Sequence, residues 1–265
     1  HDEDSRQQSL LQLREQLSHR RLQVETGETF DFQLCLLPED KHRLLVNIDL
    51  LVCDAASFNQ LFEELIALIG EQPLPPASTD YDCCSYLTQV ERNDQARIEQ
   101  AKAWWMARLD DLPLAPILPL AQEPERIEQV RISRRRGQLD AGQWQIFKEH
   151  AGHHGVTPTM ALATLFSAVL GRWSGQRKLL LNLTLFDRQP LHPAVSDMIA
   201  DFTNILPLPV ECHGQTFAEL ALANQRTFAE VHEHSAWSGV EVLRELKKHQ
   251  RHPHGAPLVF TSNLG

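Results

Sequence analysis

The sequence predicts an α/β fold with mixed sheets. Strand-like apolar runs alternate with helix-periodic segments in both halves of the chain. Two strand-like runs, TFDFQLCLLP (29–38) and HRLLVNIDLLV (42–52), lie on either side of the polar turn EDKH, which is a hairpin signal. Residues 55–69 then place Phe58, Leu61, Phe62, Leu65, Ile66 and Ile69 at i, i+3, i+4, i+7, i+8 and i+11, the apolar stripe of an amphipathic helix.

The remaining elements follow in order. Residues 9–19 have helical spacing through Leu10, Leu11, Leu13 and Leu17. The stretch GEQPLPPASTD is a loop, and 85–109 reads as a long helix carrying Trp104 and Trp105. Residues 112–125, LPLAPILPLAQEPE, hold Pro113, Pro116, Pro119 and Pro124. They are too apolar for a free linker and are expected to lie extended across a surface, marking the boundary between two lobes, 1–111 and 126–265. The second half is expected to begin with a strand near 126–136 and a helix near 140–152. Thr157 as N-cap and Pro158 in the first turn open another helix through Trp173. A buried strand at 178–186, a strand near 203–211, helices near 216–233 and 238–248 and a strand at 257–263 complete the reading.

With 265 residues the chain can bury a large core. Its formal net charge of -10 argues against a general nucleic-acid binder and against an anionic membrane surface. The local run RISRRRGQ (131–138) reads as a solvated strand or turn. Five cysteines (Cys35, Cys53, Cys83, Cys84 and Cys212), an odd number with no CxxC, indicate a reducing cytoplasmic compartment without a disulfide framework. No signal peptide and no membrane-crossing apolar run is visible. Because a strand-like run ends at the last residue and the chain opens without Met, the sequence is expected to be a piece of a longer polypeptide.

The thirteen histidines lack metal-ligand spacing: neither His153–His154 nor His252–His254 falls in an HExxH, and no carboxylate completes a set. GxSxG, P-loop and GxGxxG motifs are absent. What remains is a set of polar residues at the ends of apolar runs: Asp49 and Asp54 in DLLVCDAAS, Asn182 and Thr184 in LLLNLTLFDR, Asp201, Thr203 and Asn204 in ADFTNILPL, and Thr261, Ser262 and Asn263 in VFTSNLG. One such residue is usually a satisfied core group. Four clusters in one chain point to a polar-lined cavity or tunnel.

These residues also carry a family resemblance. DLLVCDAAS fits the DxxxxDxxS motif of the heterocyclization domains of nonribosomal peptide synthetases, which resemble condensation domains with paired aspartates in place of HHxxxDG. LPLAPILPL (112–120), TPTMALATLFSAVLGRW (157–173), ADFTNILPL (200–208) and APLVFTSNLG (256–265) are similar to four further motifs of the family, in the family's order. The wording of NIDLL, LNLTLFDRQPLHPA and HGAPLVFTSNLG is most similar to siderophore synthetases of the yersiniabactin and pyochelin type. The family's opening motifs and its closing TPQVxxD are not among these 265 residues.

The resemblance implies two chloramphenicol acetyltransferase-like lobes, the first incomplete. It implies amide condensation of carrier-bound acyl and Cys, Ser or Thr thioesters, followed by cyclodehydration to a thiazoline or oxazoline in siderophore biosynthesis. No cofactor belongs to such a domain; its substrates ride on phosphopantetheine of upstream and downstream carrier domains, beside an adenylation domain in the same polypeptide. The resemblance makes Thr261 a cyclodehydration residue, partnered by the aspartate of the closing motif, with Asn182 as helper. Without the family, Thr261 reads as a strand threonine bonding its neighbours. Ser57, Thr203, Asn204 and Ser262 are assigned to the tunnel wall.

Asp49 and Asp54 are catalytic candidates, for which the resemblance favours architecture over proton transfer. Asp49 would brace a loop or face the tunnel, and Asp54 would pair with Arg188 or cap the next helix. Two other function classes stay open: a docking or scaffold module without turnover, and an acyltransferase that forms amides without cyclizing, against which DxxxxDxxS argues.

Overall fold

A computed structural model describes residues 3–74, 76, 80–122, 126–128, 130–214, 216–248 and 256–263. The chain divides into two compact units. The first comprises residues 1–86, 127–135 and 188–202; the second comprises 87–126, 136–187 and 203–265. Residues 87–111 and the proline-rich segment therefore belong to the second unit, whereas the sequence reading gives 87–111 to the first lobe and makes 112–125 the junction.

In the first unit, helix α1 (Glu3–Ser18) precedes the antiparallel hairpin of β1 (Phe30–Leu37) and β2 (Lys41–Ile48), and helix α2 (Ala55–Ile69) follows. The register pairs Phe30 with Ile48, Phe32 with Val46 and Leu34 with Leu44, so one hairpin face is wholly apolar at these positions. Phe30, Phe32, Leu34 and Leu36 are exposed, while Asp31, Gln33, Cys35 and Leu37 are half-buried. Arg20 reaches Asp31 Oδ2 at 2.6 Å from the polar side. The second strand is shorter than the expected 42–52. It stops at Ile48, and Leu50 and Leu51 are each 70% exposed in the turn that follows. Asp49 causes this stop: its Oδ1 accepts the Leu51 N–H at 3.0 Å and its carbonyl accepts that of Val52 at 3.2 Å, turning the chain out of the ladder.

The second unit is built on a three-stranded sheet in the order β4–β3–β5. Strand β3 (Lys178–Phe186) is central; Leu179, Leu180, Leu181 and Leu183 are all buried, as expected of a strand covered on both faces. Strand β4 (Thr203–Glu211) runs antiparallel to it, and β5 (Val259–Phe260) parallel. Pro207 and Pro209 supply no N–H at alternate positions, which suits β4 to the edge place it takes among the described strands.

Helices α6 (Phe217–Glu233) and α7 (Gly239–Lys248) pack on β4, and α5 (Pro158–Ser174) packs on β3, β4 and α6. Helix α4 (Ala141–His153) packs on α5, and α3 (Cys83–Met106) gives Ala101 and Trp105 to the core. Thr157 caps α5 by accepting the Met160 N–H, with Pro158 at its first turn. Reciprocal capping boxes start α4 (Asp140, Gln143) and α6 (Thr216, Glu219). At the start of α7 the helix lies directly on β4: a Cβ on Gly239 would fall 2.0 Å from the Ile205 carbonyl oxygen. Asn224 of α6 is fully buried yet satisfied, bonding both the N–H (2.8 Å) and the carbonyl (3.0 Å) of Glu211 and the Thr164 hydroxyl (3.3 Å). The segment 112–122 is extended, as expected. Leu114 O accepts the Leu180 N–H, and the Gln176 carboxamide bonds both Ile117 N–H and Ala115 O.

Two expected strands differ. Residues 126–136 form no strand among the described positions; residues 130–139 are exposed throughout, and Arg131, Arg134, Arg135 and Arg136 offer no apolar face for a sheet to cover. The expected strand at 257–263 narrows to Val259–Phe260.

Candidate functional site

The predicted polar residues fall into two groups, one in each compact unit. In the first unit they converge on the start of α2. Asp54 is 3% exposed and is the N-cap, accepting the Ser57 N–H on Oδ1 at 2.8 Å. Arg188 Nη2 lies 3.2 Å from Asp54 Oδ1, 3.3 Å from Oδ2 and 3.0 Å from Ser57 Oγ. The Phe202 N–H approaches Oδ2 at 3.4 Å, and Ala200 O accepts both the Asp54 N–H (3.2 Å) and the Ser57 hydroxyl (2.9 Å). Arg188 Nη1 donates to the carbonyls of Val195 (2.8 Å), Ser196 (3.2 Å) and Met198 (2.8 Å), and the guanidinium lies 4.1 Å from the Phe202 ring centre. The other partner of that ring is Tyr86, edge-on at 4.9 Å, whose hydroxyl accepts the Gln189 N–H.

This network sets the charge state of Asp54. Burial alone would push its pKa up, but the Ser57 N–H and hydroxyl and the Arg188 guanidinium outweigh burial and hold the carboxyl below its usual range. Asp54 is thus an ionised carboxylate with both oxygens engaged. Its neighbour Cys53 is pushed the other way, by burial first and then by the charges of Asp54 and Asp201. Ser57 is wholly buried with its hydroxyl engaged, where the sequence reading set it on a tunnel wall. Asp49 is outside this network, in its own turn. The two aspartates of DLLVCDAAS therefore have separate structural partners.

In the second unit the polar residues gather along β3 and β5. The parallel register sets Asn182 level with Val259 and Leu183 with Phe260, which brings Thr184 level with Thr261. Their hydroxyls meet at 2.7 Å. Asn182 lies two residues back on the face of β3 that carries Thr184; it is 5% exposed and donates to Ala256 O, while its Oδ1 has no partner among the described residues. Thr261 is exposed and Ser262 half-buried, its hydroxyl 3.1 Å from that of Thr159 in the first turn of α5. Asn204 accepts the Ser238 hydroxyl at 3.2 Å, tying β4 to the start of α7, and Thr203 is exposed at the head of β4. Thr159, Ser238 and Tyr86 were missed in the sequence. The second threonine of TPT was the available signal for Thr159; a lone tyrosine or serine in a polar run gave none.

Among the described residues no three His, Cys, Asp or Glu side chains gather as a metal site would, and no helix is long and apolar enough to cross a membrane.

Comparison with known proteins agrees with this geometry. The family profile described as "Condensation domain" matches residues 1–263. Pyochelin synthetase PchE of Pseudomonas aeruginosa (strain UCBPP-PA14) is 39% identical over 259 residues, 96% of this chain and 18% of that protein. Phenyloxazoline synthase MbtB of Mycobacterium sp. (strain MCS) is 35% identical over 260 residues, 98% of this chain and 22% of that protein. The chain thus spans only a minor share of these curated relatives. Among solved structures, the EpoB NRPS cyclization-docking bidomain from Sorangium cellulosum superimposes with a TM-score of 0.87 at 28% identity, covering 100% of this chain and 54% of that one. The first condensation domain of the CDA synthetase, 18% identical with a TM-score of 0.68, shares the fold. With its whole described length matched by one family profile and by one architecture, the chain belongs to the condensation domain family of nonribosomal peptide synthetases.

Proposed function

We propose that the chain is part of a heterocyclization domain of a siderophore-type nonribosomal peptide synthetase. The domain works in the cytoplasm, without a cofactor of its own. Its substrates arrive on phosphopantetheine arms of upstream and downstream carrier domains, loaded by an adenylation domain of the same polypeptide. In the first step the α-amine of a carrier-bound cysteine, serine or threonine attacks the upstream acyl thioester. A C–N bond forms, the C–S bond breaks, and the upstream thiol leaves with the proton. In the second step the side-chain thiol or hydroxyl adds to the new amide carbonyl. The C–O bond then breaks, and the oxygen departs as water with the side-chain proton and the amide proton, leaving a thiazoline or oxazoline.

The observation that carries this reading is the set of hydroxyl and carboxamide groups on β3 and β5, taken together with the state of Asp54. Asp54 occupies the motif that replaces HHxxxDG, and there it is buried, ionised and hydrogen-bonded through both oxygens. Such a carboxylate is a poor proton acceptor, and its role is architectural. Hydroxyl and carboxamide groups stand instead along β3 and β5, the groups suited to steadying an oxyanion and moving protons in dehydration. Relatives named for an oxazoline product and for cyclization support the same reading. Thr261 is the residue assigned to the second step, with Asn182 as helper.

The test is Thr261→Ala in the synthetase that carries this domain, with carrier-bound products weighed. Condensation should persist while ring formation falls at least about tenfold, equivalent to about 1.4 kcal/mol of barrier. The ring is one water lighter than the linear amide, so the two are separated directly. Equal losses in both steps would make Thr261 a structural residue and overturn its assignment.

A further inference from the structure

We propose that Thr184 is the positioning residue for Thr261, holding its hydroxyl in the orientation that ring closure requires. The inference rests on the reading of Thr261 given above. Strand β5 is only two residues long, and Thr261 is the first residue beyond it. Its backbone therefore gains little from the ladder, and a threonine hydroxyl has several staggered wells to choose from. Two contacts remove that freedom. The next residue, Ser262, is tied to Thr159 in the first turn of α5 at 3.1 Å, and the Thr261 hydroxyl itself meets Thr184 at 2.7 Å.

The two ends of the second contact are unequal. Thr184 lies inside β3 with Ile205 of β4 as its ladder partner, two residues after buried Asn182 and next to buried Leu183. Thr261 is exposed at a strand end. The partner inside the sheet thus sets the one beyond the strand end, as a supported functional group requires.

The chemistry gives the contact its direction. Ring closure forms a bond from sulfur (or oxygen) to the amide carbon and breaks the carbon–oxygen bond, releasing water with two protons from the substrate. Thr261 can lend a proton to the departing oxygen and recover one, with no net change. A hydroxyl that accepts a hydrogen bond is a stronger donor through its own proton, so donation from Thr184 aims and strengthens Thr261 at once. Condensation expels a thiol from an activated thioester and has no such requirement.

The experiment compares Thr184→Val, Thr184→Ser and Thr261→Ala in the synthetase that carries the domain, weighing carrier-bound linear and cyclized products over time and melting each variant. Valine keeps the branched shape and strand preference of threonine and removes only the hydroxyl. Thr184→Val should lower ring formation about three- to tenfold, the effect of one hydroxyl hydrogen bond, with condensation and melting near wild type. Thr184→Ser should restore most of the loss. If Thr261→Ala loses the ring while Thr184→Val does not, the positioning role is refuted and the reading of Thr261 stands. A Thr184→Val that slows both steps equally, or is not rescued by serine, refutes it too. A Thr261→Ala that still cyclizes fully overturns both.

Discussion

Replacing Asp54 by alanine should destabilise the fold before it alters any one chemical step. The substitution removes two things at once. The first is the N-cap of α2, worth about 1 kcal/mol. The second is the carboxylate facing Arg188, whose side chain is 16% exposed. Stripping one partner from such a buried pair costs about 3–5 kcal/mol, because the other charge stays behind. Arg188 would keep the carbonyls of Val195, Ser196 and Met198 and the Phe202 ring, so the lower end applies, and the two terms overlap. A total near 3 kcal/mol follows, and in a chain of this size that lowers the melting temperature by about 6–12 °C. The pH dependence has a definite sign. The folded carboxyl titrates below its unfolded value of about 4, so its contribution is complete above that pH and is lost as pH falls through the folded value. Acid should therefore destabilise wild type more than Asp54→Ala, narrowing the gap between their melting temperatures. The assay is thermal melting from pH 7 down to pH 3. A variant that melts within about 2 °C of wild type at pH 7, with turnover abolished, would refute this argument and make Asp54 catalytic.

Three further outcomes follow from the packing. Gly239→Ala should cost about 3 kcal/mol or more, since the new methyl meets the Ile205 backbone, which cannot rotate away as a side chain can; a melting curve close to wild type would contradict it. Asn224→Ala should cost about 2–4 kcal/mol by leaving the Glu211 N–H and carbonyl unpaired, read by denaturant unfolding. At pH 8, Cys83 and Cys84, which are exposed, should alkylate quickly, while Cys53 and Cys212 should react slowly; the Cys212 thiol is pushed up to about 11 by burial and by Glu211. Peptide mass mapping over time distinguishes them.

The sequence was most informative where one periodicity ran unbroken. The leucines of 178–183 located β3, which has a core to face, and the stripe from Phe58 to Ile69 located α2 even though Phe58, Ile66 and Ile69 are exposed. It was misleading where apolar residues were not covered. Leu50 and Leu51 extend the apolar run of β2 on paper, yet the Asp49 turn leaves them in the open. Val130 and Ile132 read as strand residues, but a strand needs a partner, and nothing in RISRRR can reveal one. Alternation in Phe30–Leu37 fixed the two faces of the hairpin without telling which is covered. The functional groups show the same division. Asp54 as a cap was visible three residues ahead of Ser57. The pairing with Arg188, 134 residues away, was expected from the family resemblance and is present, although no local pattern contains the return of the 188–202 segment to α2. The level pairing of Thr184 with Thr261 is likewise set by sheet register.

The two ends of the Arg188 guanidinium explain why this motif carries a carboxylate. One nitrogen collects the carbonyls of Val195, Ser196 and Met198, which shape the 188–202 segment; the other reaches Asp54 and Ser57 at the head of α2. A half-buried arginine holding only carbonyls would remain a poorly compensated charge. Asp54 supplies the compensating charge at a helix N-terminus, where negative charge is favoured by the helix dipole as well. The same residue serves poorly both as fixed counter-charge and as proton carrier, because the partners that make it a counter-charge also hold its carboxyl below the usual range. The neutral hydrogen-bonding pair lies elsewhere, in the threonine hydroxyls of β3 and the end of β5, 2.7 Å apart.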